Sequence, residues 1–130
     1  MELQGDVGAV QWTLARTDLA YYSGEDILNL PLLAVGAVGV VSVVSHLVGT
    51  RLAELVAAVE SGDLVKARAV NESLLPVYTG IFRTQGVILT KAALRLLGLP
   101  GGPVRPPLVD ATPEQLEQLR TDLAAGGVPL

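Results

Sequence analysis

The sequence predicts an α/β fold: parallel strands alternate with helices in the first third, a helical layer follows, and the whole is the closing part of a larger barrel. The first sign is "LLAVGAVGVVSVVSHLVG", residues 32–49, whose texture changes at Gly36 and Gly39 from helical apolar spacing to a β-branched run. The second is that the same helix-then-strand grammar stands just upstream. The third is a deficit. Two parallel strands leave both outer edges unpaired and are not stable alone in water.

Taken in order, Asp6 to Arg16 reads as a helix with Val7, Val10 and Leu14 on one stripe, beside Trp12 and Ala15. Leu19-Ala20-Tyr21-Tyr22 is a short apolar strand stopped by Ser23-Gly24. From Glu25 to Val35 the apolar residues cover much of a second helix, and after the Gly36–Gly39 turn the valines from Val38 to Val44 suit a strand buried on both faces. Thr50 can cap a helix carrying Leu52, Leu55, Val56 and Val59, ended by Ser61-Gly62. Asp63 can cap the next, with Leu64, Ala67, Val70, Asn71 and Leu74 inward, although Pro76 should bend or interrupt it. Val87 to Leu97 is a further helix closed by Gly98, and Pro100 to Pro107 is a loop. Thr112-Pro113-Glu114-Gln115 is a helix start with a cap, a proline at the first helical position and a glutamine placed for a capping box; Leu116, Leu119 and Leu123 follow on one face. No internal repeat is visible.

Composition excludes several functions. The 130 residues are 50% hydrophobic and 17% charged, enough to bury a core and unlike a disordered chain. A net charge of -4, with nine lysines and arginines scattered along the chain, disfavours a phosphate-gripping surface, so no nucleic-acid partner is expected. The absence of cysteine removes disulfides, thiolate nucleophiles and zinc–cysteine sites. His46 is the only histidine, which leaves neither a histidine metal cluster nor a Ser-His-Asp triad to argue. The start MELQGD lacks a basic and then apolar leader, so a cytoplasmic location is expected.

No formal charge occurs from Ile27 to Thr50, long enough for a membrane span, which needs ~20 apolar residues. Against it stand Asn29 and Pro31 near one end, Ser42, Ser45 and His46 near the other, and no basic cluster to set orientation. A buried helix followed by a buried strand explains the segment, and no membrane partner is expected. The order helix, strand, helix, strand then fits the last two strands of a (β/α)8 TIM barrel, whose remaining strands precede Met1. Residues 1–49 read as the last βα units of that barrel and residues 50–130 as a helical region of the same domain.

"YYSGEDILNLPLLAVGAVGVVSVVSH" followed by "LLPVYTGIFRTQGVILTKAALRLLGLP" resembles the C-terminal portion of the dihydrodipicolinate synthase family, pyruvate-dependent lyases of lysine biosynthesis through diaminopimelate. The likeness runs in order over nearly all 130 residues, from "QGDV" to "TPEQLEQL". It implies a barrel whose sixth-strand lysine forms a Schiff base with pyruvate; the enamine then attacks L-aspartate 4-semialdehyde, and the product cyclises. A lysine whose pKa is lowered by burial suits that step. The resemblance puts the lysine at Met1 or immediately before it, ahead of Glu2 and Gly5-Asp6, and puts the tyrosine and threonine relay and the substrate-binding arginine earlier still. No catalytic residue and no cofactor are therefore expected in this chain, and it should be inactive alone. The resemblance matches Gly24 to a glycine beside bound pyruvate and Val41 to a position whose main-chain carbonyl faces the site; both would be substrate-binding. It also implies a homotetramer, whose smaller subunit contact would involve Val7 to Trp12 and the Pro31 to Gly36 region.

Each candidate has a plainer reading. Gly24 can be a turn glycine, and Val41 core. Glycine does permit close backbone approach, and amides at the start of the Glu25 helix would favour a carboxylate. Lys91 lies among helical residues, where a solvated or capping role is expected. Glu25 and Asp26 do not face each other on a helix and suit its dipole. Tyr21 and Tyr22 should point to opposite faces of their strand. His46 reads as a helix-start or surface residue, and Gly101-Gly102 lacks the Lys-Ser/Thr of a phosphate loop. The alternatives are a sibling pyruvate lyase, of the N-acetylneuraminate lyase or keto-deoxy-sugar-acid aldolase type, and a non-catalytic helical or membrane module.

Overall fold

A computed structural model describes residues 2, 3 and 5–130, with side chains from residue 5 onward. Met1, one of the two places where the resemblance puts the lysine, lies outside the described residues. The elements in chain order are β1 (Glu2–Leu3), α1 (Val7–Leu14), β2 (Tyr22–Ser23), a 3-10 turn (Asp26–Leu28), α2 (Asn29–Ala34), β3 (Gly39–Val40), α3 (Ser45–Glu60), α4 (Leu64–Ile81), α5 (Gly86–Leu96) and α6 (Pro113–Ala125). They fall into two compact units, Met1–Ser42 with Thr50–Glu72, and Val43–Gly49 with Ser73–Leu130.

The first unit holds the sheet. Its order is β1-β2-β3, all parallel, with Tyr22 opposite Gly39 and Ser23 opposite Val40. The third strand, Glu2–Leu3, adds to the two that were expected, because two residues are too short to show an apolar alternation. Each connection runs through a helix, the α/β grammar expected of parallel strands. Asp6 caps α1, its carboxylate accepting from the amides of Gly8 at 2.7 Å and Ala9 at 3.4 Å. Gly36, at φ +118°, closes α2, and the Ala37 amide returns to the Leu32 carbonyl at 2.9 Å. Leu32, Leu33, Leu52, Leu55, Ala58 and Ala67 are buried in this unit.

Several boundaries differ from the periodicity. β2 is shifted toward Ser23, leaving Leu19 60% exposed ahead of it. The segment after Glu25 is a 3-10 turn and a short helix rather than one continuous helix. β3 spans only Gly39–Val40; the Val44 carbonyl already accepts the amides of Leu47 and Val48 in a first helical turn of α3 from Ser45, and the long segment of α3 resumes after Val48, beside the expected start at Thr50. α3 is interrupted at Val48, where φ is −132° and ψ 29°. Asp63 does cap the following turn, accepting the Lys66 amide at 2.9 Å, but Leu64 is exposed rather than inward.

The second unit is the helical layer. Leu74, Val77, Tyr78 and Ile81 of α4, Leu89, Ala92 and Ala93 of α5, and Leu119 and Leu123 of α6 are buried in it. α4 continues through Pro76 instead of stopping there. Gly80 faces the Asp122 side chain so closely that a Cβ there would stand 2.6 Å from the Asp122 Cβ. The start of α6 has the expected capping box: the Gln115 amide donates to Thr112 Oγ1 at 3.3 Å and the Thr112 amide to Gln115 Oε1 at 2.9 Å. Among the described residues no helix is long and apolar enough to cross a membrane.

Candidate functional site

The two residues singled out by resemblance lie at the carboxyl ends of adjacent strands. Gly24 follows β2 and Val41 follows β3. The Val38 amide donates to the Tyr21 carbonyl at 2.8 Å and the Val41 amide to the Ser23 carbonyl at 2.7 Å, so the residue before Gly24 is tied directly to Val41. The next end is joined as well: the Gly5 amide, just past β1, donates to Glu25 Oε2 at 3.1 Å. Three consecutive strand ends are thereby stitched together at the face where barrel enzymes carry their active sites.

Strand alternation sorts the side chains. Tyr21 is buried, its hydroxyl 2.8 Å from Thr17 Oγ1, and Ser23 is buried with it. Tyr22 is 40% exposed on the other side and its ring covers Gly39, the residue opposite, where a Cβ would meet ring carbons at 3.1 Å. The expected division of Tyr21 from Tyr22 is what the strand shows. By the same alternation Gly24 and Val41 share a face with Tyr22, and Val41 is 54% exposed.

Behind Gly24 lies a set of buried polar groups that periodicity did not flag. Ser23 Oγ donates to Asn29 Oδ1 at 2.7 Å and stands 3.3 Å from the Glu25 carbonyl; Asn29 Nδ2 donates to Asp26 Oδ1 at 3.2 Å. Asp26, read as a dipole partner at a helix start, is buried and engaged by Asn29. The signal was an asparagine and an aspartate bracketing an apolar run, a place where polar residues are buried only with partners.

The other candidates take structural places. Lys91 Nζ donates to the Pro103 carbonyl at 2.7 Å and anchors the loop before α6; Arg95 beside it reaches the Gly102 carbonyl at 2.7 Å and Asp110 at 3.2 Å. Lys66 pairs with Glu54 at 3.0 Å on the surface. His46 is exposed in the first turn of α3. Among the described residues no group of three or more His, Cys, Asp or Glu is placed to hold a metal ion.

Comparison with known proteins shows the family and the fold. The model of the dihydrodipicolinate synthetase family matches residues 4–126. The 4-hydroxy-tetrahydrodipicolinate synthase of Acidothermus cellulolyticus is 64% identical over 126 residues, which cover 97% of this chain and 41% of that protein. The 4-hydroxy-tetrahydrodipicolinate synthase 2 of Streptomyces coelicolor is 59% identical over 129 residues, 99% of this chain and 43% of that protein. Among solved structures, DHDPS from Cyanidioschyzon merolae with lysine bound superposes with a TM-score of 0.91 at 37% identity, covering 97% of this chain and 43% of that one. The chain thus spans somewhat over two fifths of the proteins it matches.

Proposed function

The chain belongs to the dihydrodipicolinate synthetase family, and we propose that it is the C-terminal portion of a 4-hydroxy-tetrahydrodipicolinate synthase, contributing the wall of the pyruvate site formed by Gly24 and Val41. The observation that carries the reading is the 64% identity to a synthase along 97% of the chain. Stitched strand ends that bring Gly24 and Val41 to neighbouring places support it. In this reading residues 1–49 close the barrel and residues 50–130 form a helical region of the same domain. The sibling-lyase alternative has no observation in its favour, since the relatives are named as synthases.

The chemistry follows from the amine. A lysine of the synthase adds to the ketone of pyruvate and loses water to give an imine; loss of a methyl proton gives the enamine, which attacks the aldehyde of L-aspartate 4-semialdehyde, and the amino group of the adduct then closes the ring on the imine carbon and expels the lysine amine. Gly24 allows the pyruvate end to approach the backbone, and the Val41 carbonyl presents an acceptor to the site. The two lysines of this chain are otherwise engaged, Lys66 with Glu54 and Lys91 with the Pro103 carbonyl, and neither supplies the amine. The assembled synthase works in the cytoplasm as a homotetramer.

Borohydride reduction in the presence of pyruvate tests the assignment of the amine. The 130-residue chain alone should show no mass increase. A stoichiometric adduct mapped to Lys66 or Lys91 would overturn it.

A further inference from the structure

We propose that Ser23, Asn29 and Asp26 form a positioning network that fixes the main chain of Gly24 and Val41 for pyruvate; the proposal rests on the synthase reading above. Ser23 is 0% exposed and is joined to both candidate residues. It precedes Gly24 covalently, and its carbonyl accepts the Val41 amide at 2.7 Å. Its hydroxyl donates to Asn29 Oδ1 at 2.7 Å, with the Glu25 carbonyl a longer contact at 3.3 Å. The chain is therefore held on either side of Gly24 by one side chain.

Glycine requires such an outside anchor. With no side chain to pack, its backbone has the widest conformational freedom of any residue, and a site that relies on close approach to it must restrict that freedom from its neighbours. Asn29, 0% exposed at the start of α2, takes the Ser23 hydroxyl through its carbonyl and donates its amide to Asp26 Oδ1 at 3.2 Å, which connects the strand end to the turn that follows it. Simple packing does not call for polar groups here. Three buried polar side chains within seven positions cost free energy unless their mutual bonds are kept, so the network is sensitive to loss of any one partner. Ser23 lies on the face of β2 opposite to Gly24 and Tyr22, so its side chain does not touch substrate; its effect passes through the backbone.

The test uses the full-length synthase that carries this segment, compared as wild type, Ser23→Ala and Asp26→Leu, the second of which removes the acceptor for Asn29 Nδ2. The expected result is a KM for pyruvate raised roughly tenfold in each variant, with kcat and the KM for L-aspartate 4-semialdehyde within about twofold of wild type, the pattern left when binding alone is weakened. A merely structural role would lower the melting temperature and leave the pyruvate KM of the folded enzyme unchanged, and that result overturns the proposal. Should Ser23→Ala fail to fold, Asp26→Leu, which keeps the side-chain size but removes the acceptor, gives the same reading, and an unchanged KM there overturns it equally. Wild-type enzyme that traps no pyruvate under borohydride would instead overturn the synthase reading, and the positioning role with it.

Discussion

The carboxylate of Asp122 is gripped by three donors. Arg83 Nε lies 2.6 Å from Oδ2 and its terminal nitrogen 3.0 Å from Oδ1, while Gln118 Nε2 reaches Oδ1 at 3.2 Å. The hydrogen bonds from Arg83, with those from Gln118 and the guanidinium charge, outweigh the opposing effect of burial and hold the carboxyl below its ordinary range. A depressed folded-state pKa means that the stabilisation is complete above the unfolded value, about 4, and fades as pH falls toward the lower folded value. Asp122→Asn should therefore lower the melting temperature near neutral pH, and the gap from wild type should narrow below about pH 4. Because the Arg83 side chain is 45% exposed, solvent screens the pair, and the loss should be a few degrees. Calorimetry of both proteins across that pH range checks it; a constant gap counts against the charged pair as its source. Nothing local in the sequence joins Arg83 to a partner 39 positions away. The Ser23–Asn29–Asp26 cluster was equally illegible: alternation and helical period report which face is apolar and are silent about which polar groups find each other. Gly24 and Val41 came from family resemblance, since a turn glycine and a valine carry no chemistry that spacing could reveal.

Elements were legible where their causes are local. The start of α6 could be read residue by residue because a capping box involves only Thr112 and Gln115, and both of its bonds are present. Thr112→Ala removes the acceptor for the Gln115 amide and should destabilise the protein by about 1 kcal/mol. The measurement is a urea midpoint shift at unchanged slope, accompanied by faster amide exchange confined to the first turn of α6; unchanged exchange there would deny the cap its role. Gly36 was similarly readable, since a positive φ after an apolar helix favours glycine. Pro76 shows the opposite case. It removes one backbone donor, a local penalty, yet Leu74, Val77 and Tyr78 around it are buried, and that packing keeps α4 continuous. The valine run predicts a longer strand than forms, for the same reason. β preference is realised only where a neighbour offers a ladder, and after Val41 the chain turns through Val44 into α3.

At the scale of the molecule, the strand order reports a larger sheet. β1-β2-β3 are parallel and each is two residues long, too little sheet to stand alone, while the family relatives extend to more than twice the length of this chain. The proposed homotetramer would add a second demand on the same segment, since its smaller contact would involve Val7 to Trp12 and the Pro31 to Gly36 region. Trp12 is 64% exposed on α1, with the Arg16 guanidinium 4.4 Å from the centre of its ring. On the opposite side of the helix from Trp12, Leu14 lies against Gly36 at the end of α2, which brings α1 and the end of α2 together in one unit. A tryptophan and an arginine displayed together are the side chains that most often anchor protein contacts. In the full-length synthase, Trp12→Ala should weaken the smaller contact by about 2 kcal/mol, which raises its dissociation constant about thirtyfold. Sedimentation velocity at low micromolar concentration should then show dimers where wild type gives tetramers. An unchanged tetramer would remove α1 from the contact and leave the Trp12–Arg16 pair as a surface feature only.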